Sequence, residues 1–336
     1  GGRKRYVMFF KVHHIVFDGW SNEILLKEIS EVYNSLAQGI TPKLEDLRLD
    51  YAAYSERLRG EDEINKRRDY WLEKMTDFPG NLQLPTDFPR NGAASFEGNT
   101  HILGLDIEKL ESLKKISEKL RCSLFDVAAA AVYVLLYIES SQKDITLGIP
   151  LSGRTEPELE NVVGYFINTM PLRLKLDGEK PISDLIRQIR DNIVQMNANQ
   201  AYPFDRLVEE MDLKYGETGS PAFDIIVNAY SADLDALALD GVKTSVFGDS
   251  SFFSKYDLQF YYEEKEEINI IIEYKTALFK PETIERFAGE INQILEMITG
   301  SEALALDDVR QRIKAEDKRT EEEDFRNSLL YVSEEF

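Results

Sequence analysis

A stretch rich in proline and glycine constrains how this chain can fold, because it separates two longer segments with regular patterns. Residues 77–92 contain three prolines and two glycines. Proline has no backbone N–H and a fixed φ, so this stretch cannot continue a helix or a central strand. We therefore predict a linker here, with domain boundaries that divide the chain into residues 1–88, 89–300 and 301–336.

Composition limits the class of protein. The 336 residues are 43% hydrophobic and 11% aromatic, which is enough to fill two cores. A net charge of −21 disfavours a nucleic-acid or anionic-membrane surface, since either partner requires a basic face. Cys122 is the single cysteine, so no internal disulfide can form, and no Cys/His cluster has the spacing of metal ligands.

Two further patterns concern membranes. The longest apolar run, residues 127–138, is alanine-rich and too short to span a bilayer, so it predicts a buried core helix. No signal peptide is visible at the start of the chain. We therefore expect a cytoplasmic protein that binds no metal, no nucleic acid and no membrane.

The segment before the linker begins with a strand, turn and helix pattern. The apolar, aromatic and β-branched residues 6–10 predict a buried strand. Ser21 can then cap a helix that Gly39 can end. The apolar stripe of that helix consists of Ile24, Leu25, Ile29, Val32, Tyr33 and Leu36.

Two of the three histidines lie between this strand and this helix. Successive side chains of a strand point to opposite faces, so His13 and His14 cannot enter one pocket unless the strand has ended. One of them is therefore expected to be structural. Asp18 can bond an imidazole or pair with a distant cation, and Gly19 can let its backbone approach a ligand or take a positive φ. A lone histidine pair favours packing, but the ordered set His-His-x-x-x-Asp-Gly-x-Ser is more specific.

Behind the linker, strand and helix patterns alternate. Strands are predicted at 100–105, 145–150, 172–176, 223–230, 256–262 and 268–274. Helices are predicted at 107–120, 123–136, 182–196 and 281–299, and a broken helix over 50–75 precedes the linker. Charge density rises after Asp307, so residues 310–336 predict an exposed helix or linker. Together these patterns indicate an α/β (α+β) fold.

Five segments resemble, in chain order, the motifs of the condensation-domain superfamily of nonribosomal peptide synthetases. They are HHxxxDG at 13–19, DYAxW at 50–54 with tyrosine in place of tryptophan, LPxDxPR at 84–90, GxPxxGR at 148–154 and GxFxNTxxLR at 164–173. The superfamily also holds epimerisation, cyclisation and chloramphenicol-acetyltransferase-like enzymes. Epimerisation domains carry a different, tryptophan-containing sequence at the last motif, so the match favours peptide-bond formation.

The resemblance implies a two-lobe, chloramphenicol-acetyltransferase-like condensation-domain fold. Residues 1–88 would be the remainder of the N-terminal lobe, with the HHxxxDG motif and the crossover linker. Residues 89–300 would form the C-terminal lobe, and residues 301–336 a charged linker or tail. Because the opening strand belongs to the first lobe, most of that lobe would precede Gly1 and the lobe would be incomplete. An unpaired sheet edge and exposed apolar residues are then expected.

The resemblance also implies a reaction. A condensation domain forms an amide bond between a donor acyl or peptidyl thioester and an acceptor aminoacyl amine, in nonribosomal peptide or hybrid polyketide–peptide biosynthesis, including that of antibiotics. Both substrates are carried on the phosphopantetheine of upstream and downstream peptidyl carrier proteins, and the domain binds no cofactor of its own. Adjacent adenylation or synthase domains are the other implied partners.

By the same resemblance, His14 is the expected catalytic residue, either as a base for the attacking amine or as an acceptor that positions it. A backbone N–H near Gly19 is expected to stabilise the oxyanion. Asp18 is expected to brace the turn by pairing with Arg154 of the second lobe, because a buried carboxylate needs a partner.

Three supporting residues are expected nearby. His13 and Trp20 are expected to shape the pocket, although Trp20 could equally be a core anchor. Asn168 could orient a substrate amide, or it could bond to the backbone at a strand end.

Two other functions stay open. The opening motif alone also fits an acyltransferase that uses a soluble thioester such as coenzyme A, although the crossover and Asn-Thr motifs argue against it. An incomplete first lobe would instead favour a docking platform or an inactive fragment that forms no bond.

Overall fold

The computed structural model describes residues 5–58, 61–90, 95–214, 220–230, 237–245, 253–264, 268–316 and 318–319. In these ranges the helices are α1 Gly19–Ala37, α2 Tyr51–Leu58, α3 Glu61–Lys74, α4 Ile107–Leu120, α5 Leu124–Ser140, α6 Ile182–Ala198, α7 Phe204–Glu210 and α8 Pro281–Gly300, followed by α9 over residues 306–316. The strands are β1 Gly98–Leu105, β2 Asp144–Leu151, β3 Asn168–Lys175, β4 Ile225–Tyr230, β5 Leu258–Glu264 and β6 Ile268–Lys275.

The strands form one mixed sheet in the order β1-β6-β5-β4-β2-β3. β4 runs parallel to β2 and β5, and the other neighbouring pairs are antiparallel. Each predicted strand of the second unit is found, with ends shifted by a few residues. The sheet and the helices packed on it confirm the predicted α/β class.

α5 is the central helix of the core. Every residue from 127 to 138 is buried, and α5 contacts α4, α6 and α8. Ser123 caps it in a capping box with Asp126, as its sequence predicts. No single helix in the described ranges is long and apolar enough to cross a bilayer. Only α4 and α5 taken together have that length and apolar composition, and the two helices meet at an angle of 100°.

α3 and the crossover pack against the residues that follow them. Trp71 is fully buried, and its indole N–H donates to the carbonyl of Asn199 at 2.9 Å. The Arg173 guanidinium donates to the carbonyls of Thr76 and Asp77 at 2.6 and 2.8 Å, just after α3 ends. The core of the sheet thus includes Ile64, Trp71, Met75, Leu82 and Leu84. The boundary near residue 88 stays a prediction.

The strand predicted for residues 6–10 does not form. These residues have no regular structure, and Tyr6 and Phe9 are 83% and 85% exposed. A buried strand requires a neighbour that pairs with it, and no strand in the described ranges lies beside this segment. The prediction of a buried strand is therefore wrong, whereas the expected exposure of apolar residues in the opening segment is observed.

α1 forms in the predicted region but begins before Ser21, and its predicted apolar stripe does not face the core. The buried positions are Ser21, Ile24, Leu26, Ser30 and Ser35. Leu36 is 63% exposed. One reason is a pair of hydrogen bonds between the main chain of Ala238 and the side chains of Ser30 and Asn34. They place the Ser30 and Asn34 side of the helix against residues 237–245.

The chain after α8 is not simply an exposed tail. Leu306, Val309 and Ile313 of α9 are buried in the main core. Their spacing puts them on one helix face. Because charged residues separate these three apolar positions, the segment has the composition of an exposed helix. In residues 310–316 the predicted helix is found and most side chains are exposed, so the prediction of exposure is wrong there only at Ile313. Residues 320–336 lie outside the described ranges.

Candidate active site

The two histidines lie on a 3-10 turn, His14–Val16, that follows extended backbone. His13 accepts the backbone N–H of Ile15 on its Nδ1 at 3.1 Å and so caps the turn. The Nδ1 of His14 lies within hydrogen-bond distance of the carbonyl oxygen of Phe17. The expectation that one histidine is structural is met by His13.

The contact to Phe17 determines which ring nitrogen of a neutral His14 carries the hydrogen. A carbonyl oxygen only accepts hydrogen bonds, so Nδ1 carries the hydrogen and Nε2 keeps a lone pair. The His14 side chain is exposed. Its ring meets the ring of Tyr165 edge to face, with the centroids 5.1 Å apart and the planes at 89°. Nε2 of His14 is therefore the proton-accepting atom that this site offers.

Asp18 is buried and caps α1. Its Oδ1 accepts the backbone N–H of Ser21 at 2.8 Å and the Ser21 hydroxyl at 2.7 Å. Its Oδ2 accepts the backbone N–H of Phe166 at 3.1 Å. The prediction that Ser21 caps the helix is wrong, because Asp18 has the extended backbone of an N-cap and α1 starts earlier.

Arg154 forms the predicted pair with Asp18. Its Nη2 lies 3.1 Å from Oδ1 of Asp18, and both side chains are almost wholly buried. Its Nη1 donates to the carbonyls of Leu159 and Val162 at 2.6 and 2.7 Å, and the guanidinium stacks over the Phe166 ring at 4.1 Å. Burial lowers the pKa of Arg154, and the Asp18 carboxylate opposes that change.

Residues 164–166 are held against the histidine turn by several hydrogen bonds. The N–H of Gly164 donates to the Ser21 hydroxyl at 3.0 Å. The Tyr51 hydroxyl donates to the carbonyl of Tyr165 at 2.7 Å. Sequence reasoning missed these roles of Ser21, Tyr51 and Tyr165. Ser21 and Tyr51 lie within segments that resemble motifs, but Tyr165 is at a variable motif position and carried no signal.

The two residues after Asp18 begin α1. Gly19 is its first residue, so its N–H has no acceptor within the helix, and a Cβ placed there would meet no atom within 4 Å. Its φ is not positive. Trp20 is 44% exposed and donates to the carbonyl of Glu160 at 2.8 Å. Trp20 is therefore not a core anchor.

The side chain of Asn168 forms hydrogen bonds to the backbone around it. Its amide nitrogen donates to the carbonyls of Gln200 and Tyr202 at 2.9 and 2.7 Å, and its oxygen accepts the N–H of Phe204 at 3.2 Å. Both N–H donors are occupied, so none is left for a substrate amide. The structure thus favours the strand-end interpretation of Asn168 over the substrate-orienting one.

The site as a whole consists of the histidine turn, the start of α1, the Arg154 loop and residues 164–166. The family model "Condensation domain" matches residues 2–319. This chain belongs to the condensation-domain family. The family and its chloramphenicol-acetyltransferase-like fold are therefore confirmed, and peptide-bond formation in nonribosomal peptide synthetases is the function of that family.

Curated relatives of this condensation domain are synthetases of bacterial peptide antibiotics. Tyrocidine synthase 3 of Brevibacillus parabrevis is 32% identical over 327 residues, which cover 97% of this chain and 5% of the relative. Bacitracin synthase 3 of Bacillus licheniformis is 32% identical over 335 residues, which cover 98% of this chain and 5% of the relative. The chain thus spans less than a tenth of the length of these relatives.

Solved structures share the fold of this condensation domain. The X-domain from teicoplanin biosynthesis has a TM-score of 0.79 at 22% identity, covering 88% of this chain and 70% of that one. The condensation domain from the monacolin K polyketide synthase MokA has a TM-score of 0.75 at 18% identity, covering 88% and 69%.

Proposed function

We propose that this chain itself catalyses amide-bond formation between a donor thioester and an acceptor amine, each carried on the phosphopantetheine of a carrier protein. The observation that carries the proposal is the state of His14: its Nδ1 is engaged by the Phe17 carbonyl, and Nε2 is left as an acceptor beside a braced turn. The domain needs no cofactor of its own for this reaction, since the thioester supplies the activated carbonyl.

In the proposed mechanism the amine nitrogen attacks the thioester carbonyl carbon and forms the new C–N bond. Nε2 of His14 accepts the hydrogen bond of the attacking amine and then its proton. The C–S bond breaks as the tetrahedral intermediate collapses, and the proton passes from His14 to the departing sulfur. An α-amine is already partly deprotonated near neutral pH, so the positioning of the amine contributes alongside proton transfer.

The N-terminus of α1 supplies the proposed oxyanion site. The N–H of Gly19 has no acceptor within the helix, and the space above its Cα is open. Asp18 and Arg154 contribute by holding the segments of this site in position. Asp18 bonds the start of α1, Phe166 and Arg154, so it holds the histidine turn, residues 164–166 and the Arg154 loop together. It is not proposed as a proton carrier.

The test is His14→Ala in the complete synthetase, with donor and acceptor loaded on their carrier proteins. Loss of a general base lowers kcat by about 10²- to 10⁴-fold. His101→Ala serves as the matched control, because it removes the remaining histidine, which lies on β1 outside the site, and it is expected to leave turnover unchanged. Undiminished turnover of the His14 variant would exclude His14 as the catalytic residue. Turnover of a coenzyme A thioester as fast as of the carrier-bound donor would favour a soluble-thioester acyltransferase.

A second candidate function is a docking platform that forms no bond. Exposed apolar residues along the opening segment favour it, because contiguous apolar surface marks a contact site. The fold is also shared with the teicoplanin X-domain, for which a complex with OxyB has been solved. A synthetase that assembles and delivers full product with His14→Ala, but not after substitution of the exposed apolar residues, would support this candidate.

A further inference from the structure

Tyr165 contacts the proposed catalytic imidazole, although it lies 151 residues away in the chain. The rings of Tyr165 and His14 meet edge to face at 5.1 Å. Tyr165 is 40% exposed, and its hydroxyl has no hydrogen-bond partner among the described residues. Its contact with His14 is therefore made by the ring. Apart from this contact, the His14 imidazole makes one hydrogen bond among the described residues, to the carbonyl of Phe17.

The backbone of Tyr165 is fixed from both sides. On one side Gly164 bonds to Ser21, and on the other the N–H of Phe166 bonds to Asp18. The carbonyl of Tyr165 itself accepts the Tyr51 hydroxyl at 2.7 Å. These partners lie on α2 and at the start of α1. The backbone that carries the Tyr165 ring is therefore held by α2 and by the helix start that follows the histidine turn.

One hydrogen bond at Nδ1 leaves an exposed imidazole free to rotate away and to change tautomer. An edge-to-face contact with an aromatic ring depends on the orientation of both planes and disfavours such rotation. We propose that Tyr165 is a positioning residue that holds the His14 ring in the Nδ1–H tautomer, with Nε2 directed to the substrate. Its catalytic consequence rests on the proposed function, but its effect on the His14 ring does not.

The first test observes the ring without any substrate. The full chain is labelled with 15N-histidine, and the ring nitrogens of His14 are assigned against those of His13 and His101. In the wild type and in Tyr165→Phe, His14 shows a protonated Nδ1 and an unprotonated Nε2. In Tyr165→Ala and Tyr165→Leu, both His14 nitrogens shift toward the average of two tautomers, while His13 and His101 are unchanged.

The proposal is overturned if the alanine and leucine variants both leave the His14 signals as in the wild type, or if the phenylalanine variant shifts them. The leucine variant preserves side-chain bulk, so it separates the loss of an aromatic ring from a collapse of the loop. Tyr33→Ala is the matched control, because Tyr33 is a second tyrosine with 40% exposure, on α1. It is expected to change nothing at His14.

The second test measures condensation with carrier-bound substrates. Tyr165→Ala lowers kcat by about threefold to tenfold, as expected for the loss of one aromatic contact, and leaves the acceptor KM unchanged. Tyr165→Phe retains the wild-type kcat. A raised acceptor KM with an unchanged kcat would overturn the positioning role in favour of substrate binding. If no variant or wild-type protein condenses the substrates, the proposed function fails, while the nitrogen shifts still decide the role of Tyr165 at His14.

Discussion

The carboxylate of Asp18 lies 3.1 Å from Nη2 of Arg154, and the two side chains are 0% and 2% exposed. Asp18 belongs to the histidine turn and Arg154 to the loop after β2. Because the same carboxylate also caps α1 and accepts the N–H of Phe166, one buried group joins the segments of the site.

Asp18→Asn is expected to lower the free energy of unfolding by about 3–5 kcal/mol, because it leaves the buried Arg154 cation without an anion. Asparagine is itself a good N-cap, so the loss reports on the ion pair and on the hydrogen bond from the Phe166 N–H, which an amide nitrogen cannot accept, rather than on the cap. Denaturant unfolding measures it. Glu156→Gln, in the exposed pair with Arg57, is the control and is expected to cost less than about 1 kcal/mol. Equal losses for both variants would contradict the prediction.

Asn168→Asp is expected to act on stability and to leave substrate KM unchanged. The substitution removes the N–H donors that bond the carbonyls of Gln200 and Tyr202, each worth about 1 kcal/mol, so unfolding becomes easier by about 2–3 kcal/mol. Thermal unfolding and carrier-substrate kinetics measure the two effects. Asn197→Asp, on an exposed helix face, is the control. A raised KM with unchanged stability would restore the substrate-orienting interpretation.

Two glycines of the site are expected to respond differently to alanine. At Gly164 a Cβ would lie 2.3 Å from the Tyr51 ring, so Gly164→Ala is expected to destabilise the protein by about 1–3 kcal/mol. At Gly19 nothing lies within 4 Å, so Gly19→Ala is expected to leave stability within about 0.5 kcal/mol of the wild type.

Gly19→Ala is nevertheless expected to lower kcat/KM for condensation, because its methyl group occupies space that the approaching carbonyl would use. Gly289→Ala on α8 is the control, since its Cβ would also meet no atom within 4 Å and it lies outside the site. Unchanged condensation by Gly19→Ala would argue against an oxyanion site at the start of α1.

Tyr51 is expected to make stability pH-dependent in alkali. Burial, and then the nearby Asp18 carboxylate, raise the pKa of Tyr51 above its ordinary value of 10.0. A group whose pKa is raised on folding stabilises the protein fully below the unfolded-state pKa. That contribution is lost as the pH rises through the folded-state pKa. The difference in unfolding free energy between the wild type and Tyr51→Phe should therefore be constant up to about pH 10 and decrease above it. A difference that grows above pH 10 would contradict this sign.

Local pattern was sufficient for much of the fold. The strands of the second unit, the buried helix α5 and its Ser123 cap follow from periodicity and capping chemistry, which operate within a few residues. The pairing of Asp18 with Arg154 was also predictable, because a motif resemblance links positions that are distant in the chain. The stripe of α1 was not, since its orientation depends on bonds to residues near Ala238.

The sequence by itself determined the family and the order of the strands after the linker, and it supplied the candidate site residues, because these depend on side-chain identity and local spacing. Only the tertiary structure decided that Asp18 accepts the N–H of Phe166, that Asn168 serves the backbone and that Tyr165 contacts His14. Each of these outcomes depends on a donor, an acceptor or a ring brought close by folding, and most of the partners lie about 30 to 150 residues apart in the chain. No local pattern contains that information, since a side chain's partners are chosen by the packing of the elements that carry them.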